Sequence, residues 1–216
     1  MRTSRLWLLV IAAACNRPQT PSAASTSDTS WLVASVPARD AVHASDSEAS
    51  LRARYGDSNV VAGDVGIGEG ETERGTMLFP GDASRRLAIL WTDTLRRTNP
   101  RRVAIDATPT RWIVFPGVTI GTSLAELERL NGRPFRLYGF HFDYAGTVDS
   151  WEGGRLDQHW PTRPGSSHFV WLRLRPDSGA NDDLVGKVTG DRVFSSADAA
   201  MRQLNPKVYD LFVVPR

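Results

Sequence analysis

The chain lacks most of the residue patterns that would name a chemistry. It holds a single cysteine, Cys15, in 216 residues, so no intramolecular disulfide can form. Lysine is almost missing as well: Lys187 and Lys207 stand alone among arginines, a compositional habit rather than a functional signal. No apolar run is long enough to span a bilayer as a helix; the longest, residues 6–14, falls well short of what a span needs. There is no G-x-S-x-G elbow, no S-x-x-K and no H-E-x-x-H, which lowers the standing of an enzyme reading without closing it, since triads also assemble across long separations. Charge of one sign is missing too. The formal balance is 26 Lys+Arg against 24 Asp+Glu, and removing Arg2 and Arg5 with a leader brings it to 24 against 24. A near-neutral chain offers no whole-molecule argument for a nucleic-acid partner.

What is present begins at the N-terminus. Arg2 and Arg5 precede the apolar residues 6–14, the layout of a secretory signal over residues 1–14. Ala12, Ala13, Ala14 and Cys15 then resemble the lipobox of bacterial lipoproteins. That resemblance implies a lipid on Cys15, membrane attachment through that lipid alone, and, with Asn16 rather than Asp behind it, delivery to the outer membrane of a two-membrane cell envelope. Residues 15–30 are rich in Ser, Thr, Ala and Pro, the composition of a flexible tether. Residues 31–216, about 185 residues, suit one core better than two.

Within that domain, residues 121–154 carry the clearest pattern. Ser123 and Glu126 form a capping-box signature, Leu124, Leu127 and Leu130 recur on one helix side, and Gly132 with Pro134 supplies a stop. Beyond the stop the period changes to two. Tyr138, Phe140, Phe142 and Tyr144 alternate with Leu137, Gly139, His141 and Asp143, predicting a strand with four aromatics on one face. Ser45 and Glu48 repeat the capping signature ahead of a helix ending at Tyr55 and Gly56. Ser47, Ala49, Leu51 and Gly56 fall in register with Ser123, Ala125, Leu127 and Gly132 at a constant offset, which predicts two related units over residues 45–115 and 118–175.

Strands are expected at 76–79, 85–91, 102–105, 112–115, 147–151 and 168–175. Ala197, Ala200, Met201 and Leu204 predict a closing helix, broken by Asn205-Pro206, and residues 208–214 are apolar on both sides as a central strand would be. The resulting expectation is an α+β fold: an antiparallel sheet with short helices on one face, built from two helix-plus-strand units and a C-terminal helix-strand over residues 195–214.

The S-x-x-E-L-x-x-x-x-G pattern of Ser123, Glu126, Leu127 and Gly132, with Pro134 behind it, resembles the tandem repeats of beta-lactamase-inhibitor-protein-like domains and SmpA/OmlA-type lipoproteins. The NGRPF…GF..DY.GTV.SW.GG segment starting at Asn131 is similar to one found in uncharacterised bacterial lipoproteins. Both resemblances imply a non-catalytic scaffold that binds other proteins, and neither carries a catalytic residue, a metal or a cofactor to this chain.

His141 and Asp143 should share a strand face about 7 Å apart. They form a potential metal or acid/base pair if Glu152, Asp149 or His159 converges on them, and a pair of surface residues otherwise. Glu69, Glu71 and Glu73 line one side of an extended segment, either a calcium or basic-partner site or a charged edge that deters sheet pairing. Trp151, beside Gly153-Gly154, and Trp160, in a Pro-flanked loop, are either interface anchors or residues tucked under their own loops. The expected function is an envelope protein-binding or assembly module using His141, Asp143, Trp151 and Trp160. A hydrolase centred on His141 and Asp143, and a small-ligand carrier, are the alternatives.

Overall fold

The computed structural model describes residues 31–32, 41–68, 70–105, 108–114, 117–159 and 170–215. The signal, Cys15, the tether, Glu69, Trp160 and His168 lie outside the described residues, as does the side chain of His159. The first half of the chain gives β1 (Trp31–Leu32), α1 (Glu48–Tyr55), β2 (Val60–Gly68), β3 (Glu71–Leu78), β4 (Leu87–Asp93), β5 (Thr98–Ile105) and β6 (Trp112–Ile113). The second half gives α2 (Leu124–Asn131), β7 (Arg136–Tyr138), β8 (Val148–Ser150), α3 (Arg155–His159), β9 (Val170–Arg175), α4 (Asp182–Lys187), β10 (Val193–Ser195), α5 (Ala199–Leu204) and β11 (Lys207–Val213).

The fold is α+β. Its main sheet has six antiparallel strands in the order β2-β3-β4-β5-β11-β9, with a smaller sheet β10-β7-β8 and a two-stranded parallel pair β1-β6. The closing strand β11 lies between β5 and β9, the central place its two-sided apolar character predicts.

Caps explain the helix boundaries. Ser47, not Ser45, caps α1: its hydroxyl accepts from the Ser50 amide at 3.0 Å while Ser50 Oγ accepts from the Ser47 amide at 2.9 Å. Ser123 caps α2 by accepting from the Glu126 amide, but Glu126 does not return the bond; its carboxylate pairs with Arg129 instead. Gly56 and Gly132 end the two helices at the positions the internal repeat aligns, and the two cap serines each bridge to a strand of the main sheet. The likeness stops there. Strands β2 to β5 after α1 build the main sheet as a meander, whereas of the three strands that directly follow α2, β7 and β8 go to the smaller sheet and β9 alone joins the main one.

One face of the main sheet is covered. Leu51 of α1, Leu124 and Leu127 of α2, Leu156 of α3 and Met201 of α5 pack with Leu78, Ile89, Val103, Leu172 and Leu211 in one buried cluster. The opposite face holds Val65, Ala88, Leu90, Ala104, Met77 and Phe212, with no helix residue among them. Strand β11 keeps Val208, Leu211 and Val213 on the covered side only because a bulge at Tyr209 shifts the alternation. Without it, Asp210 and Phe212 would point into the core.

Candidate binding face of the six-stranded sheet

The stretch read as one aromatic strand is a short strand followed by a tight turn. After β7 ends at Tyr138, the backbone reaches a positive φ of 72° at His141, and Ala145 donates to the Phe142 carbonyl. The two-residue alternation is therefore lost. Phe140 is buried, Tyr138 is half-buried, and Phe142 and Tyr144 are 52% and 57% exposed. Close approach drives the bend: Gly139 takes a hydrogen bond from Gly146 and donates to Arg192, while Leu174 of β9 donates to Gly146, so the chain must turn between two neighbours.

This turn also separates the predicted site residues. His141 and Asp143 are exposed in the turn, and Glu152 lies in the next loop, where its carbonyl accepts from Arg133 at 2.9 Å. Among the described residues no three His, Cys, Asp or Glu side chains gather where a metal would sit. A base also needs a group to orient it, and among the described residues no side chain bonds to the imidazole of His141 or the carboxylate of Asp143; Arg173 reaches only the Asp143 carbonyl. Glu73, of the acidic segment, is paired with Arg101 of β5.

Trp151 is corrected from surface anchor to core. It is fully buried, its ring centroid 5.1 Å from that of Phe135. Asn131 holds it there: its amide donates to the Trp151 and Arg133 carbonyls, each at 3.0 Å, and its oxygen accepts from the Leu156 amide at 3.1 Å. Gly154 packs so tightly on Asn131 that a Cβ there would overlap the amide. Asn131, Phe135, Trp151 and Gly154 thus form a staple between α2, β8 and α3, which accounts structurally for much of the NGRPF…SW.GG segment.

The open sheet face carries the most developed surface among the described residues. Cross-strand register sets Val61, Met77, Ala88, Ala104, Phe212 and Trp171 in one row across all six strands. Alanines at the centre leave a hollow between larger flanking side chains. The sheet curls around it, since residues 64–68 of β2 and Trp171 and Arg173 of β9, from opposite ends of the strand order, line one cleft of about 530 Å³. Gly75 permits the curl, because a Cβ there would overlap the Ile89 carbonyl oxygen and press on Val65.

Aromatic and charged groups are layered on this floor. The Trp171 and Phe212 rings lie 4.9 Å apart at 30°, with the Arg102 guanidinium 4.4 Å from the Phe212 centroid and that of Arg173 4.9 Å from the Trp171 centroid. Arg173 is anchored by Thr147 at 3.2 Å and by the Asp143 carbonyl. Arg102 Nε is buried and has no acceptor. Burial lowers the Arg102 pKa, Arg101 and Arg173 push it the same way, and Asp210 opposes them. Burial raises the Asp210 carboxyl above its ordinary value, against the attraction of Arg102 and Arg173.

In β9, Val170, Leu172 and Leu174 alternate with Trp171, Arg173 and Arg175, so the aromatic and basic second face of this strand is legible in the sequence. Asp210 and Phe212 were hidden by the bulge.

These features define an α+β protein in which, among the described residues, one sheet face is covered by helices and the other is open and bears a cleft. No protein family, curated protein or solved structure matches the chain.

Proposed function

We propose that this chain is an exported, lipid-anchored envelope protein that works as a non-catalytic binding module, receiving a protein partner on the open face of its six-stranded sheet. The observation that carries the reading is the asymmetry of the sheet among the described residues: helices pack on one face only, and the other presents an aromatic and arginine-lined hollow. Large aromatics and arginines are the side chains that most often dominate protein interfaces. Phe142 and Tyr144 add exposed aromatic area in a turn tied to Arg173 at the rim of the same cleft. The lipobox-like residues 12–15 support the anchoring half of the proposal, and the resemblance to envelope scaffold proteins supports the binding half.

Two measurements test it. Cys15→Ser should move the protein from the membrane fraction to the soluble fraction, and an unchanged distribution would refute the anchor. A photo-crosslinking residue at Ile67, on the cleft rim, should give a discrete adduct in native membranes that weakens with Trp171→Ala. The same probe at Ala49, on the exposed side of α1, should not. Adducts from Ala49 alone would move the interface to the helical face.

A further inference from the structure

Among the described residues, charge in the cleft is unbalanced by one guanidinium. Asp64, at the rim, is already paired with Arg74 at 3.2 Å. Among the described residues lining the cleft, that leaves Arg102 and Arg173 facing the single carboxylate of Asp210. Arg173 is held in place by two of its donors, Nε to the Thr147 hydroxyl and Nη2 to the Asp143 carbonyl. Arg102 differs: its face is stacked on Phe212, its Nε is buried without an acceptor, and neither Asp210 oxygen lies within ion-pair distance of it among the described residues. A buried N–H with no acceptor is costly, and an ionised acceptor is the strongest remedy for a guanidinium.

We propose that the cleft seats a carboxylate side chain from an acidic segment of the protein partner, held by Arg102 beside the Phe212 and Trp171 rings. This rests on the open face being the protein-binding surface. A planar guanidinium fork matches a carboxylate in two parallel hydrogen bonds. The excess of one positive charge suits a monoanion, and the nearby Asp210 carboxylate disfavours a doubly charged phosphate. The small floor residues Ala88 and Ala104 leave depth for an inserted side chain, and the flanking rings cover its aliphatic stem.

The test uses the folded chain without its signal, presented with a randomised octapeptide library. The wild type should enrich Asp or Glu at one position. The best peptide, compared by fluorescence anisotropy with its Glu→Gln analogue, should bind about tenfold or more tightly, the effect of a charge-assisted hydrogen bond. Arg102→Gln should erase that difference, and Arg102→Lys, which keeps the charge without the fork, should retain a reduced one. Arg133→Gln, whose side chain bonds the Glu152 carbonyl, should leave it unchanged.

Thermal melts establish that each variant is folded. If Arg102→Gln is not, Arg102→Lys and the peptide pair still decide the matter. Equal affinity for the two peptides overturns the proposal, as does an acidic preference that survives Arg102→Gln. Enrichment of neutral peptides that Trp171→Ala abolishes also overturns it, while leaving the open face a protein-binding surface. No enrichment at all overturns it too, and the Ile67 crosslink then decides separately whether the face binds protein.

Discussion

Asn131 does more for this fold than its place at a helix end announces. Its side chain ties the end of α2 to the Trp151 carbonyl and the Leu156 amide in a buried setting. Asn131→Ala leaves those groups without partners, so a loss of about 2–4 kcal/mol is expected, visible as a lowered denaturant midpoint. Trp151→Ala should cost about 3–5 kcal/mol for the same reason that it is no surface anchor: it empties a core site against Phe135.

Glu48 is a second buried polar residue with a measurable consequence. Burial alone raises its carboxyl pKa, but hydrogen bonds from Thr76 at 2.6 Å and from Arg52 and Arg97 outweigh that and hold it below its ordinary value near 4.5. Trp91 Nε1 donates to the same Thr76 hydroxyl. A depressed carboxyl stabilises the fold above its unfolded-state pKa, and the contribution is lost as pH falls through the folded value. Wild-type stability should therefore drop as pH falls below about 4.5. Glu48→Gln should be less stable at neutral pH by roughly 3 kcal/mol, having left two arginines facing a neutral amide, and should show a shallower acid limb in melts between pH 7 and 3.

Elements carry the next set of constraints. The helices α1 and α2 obey their local code closely, down to serine caps and glycine ends in a repeated register. The capping partners still differ from the expectation, because Glu48 is drawn inward to Thr76 and Glu126 outward to Arg129. Strand register is set by neighbours. Gly75 lies where β3 meets Ile89 of β4 and Val65 of β2, and the curl of the sheet depends on it. Gly75→Val should destabilise the domain by several kcal/mol. Any folded fraction should show faster amide exchange at β2 and β3 than at β5 and β11, which a hydrogen-exchange experiment would read directly.

At the scale of the molecule, the last strand in sequence is a middle strand in space. Strand β11 pairs with both β5 and β9, so a chain ending at Pro206 loses both sets of ladder bonds together with Leu211 and Val213 from the core. Such a truncation should show no cooperative thermal transition. The arrangement also makes the cleft a property of the whole sheet, since its walls come from β2 near one end of the domain and from β9 and β11 near the other. Removing helix-face contacts should weaken the fold, whereas substitutions on the open face should change binding first.

Local pattern alone determined the fold class, the ends of α1 and α2, several strand positions and the central place of residues 208–214, but it did not announce β2, β10, α3 or α4. These follow from periodicity and cap chemistry acting over a few residues, which sequence displays directly. Tertiary structure decided the rest. The turn at His141 broke the alternation of Tyr138, Phe140, Phe142 and Tyr144, the Tyr209 bulge reversed the facing of Asp210 and Phe212, and Asn131 drew Trp151 inside. Arg102, Arg173, Asp210, Trp171 and Phe212 come from three strands whose adjacency depends on long-range pairing. A cleft built that way has no signature in any one stretch of chain, because its geometry exists only once the sheet has closed around it.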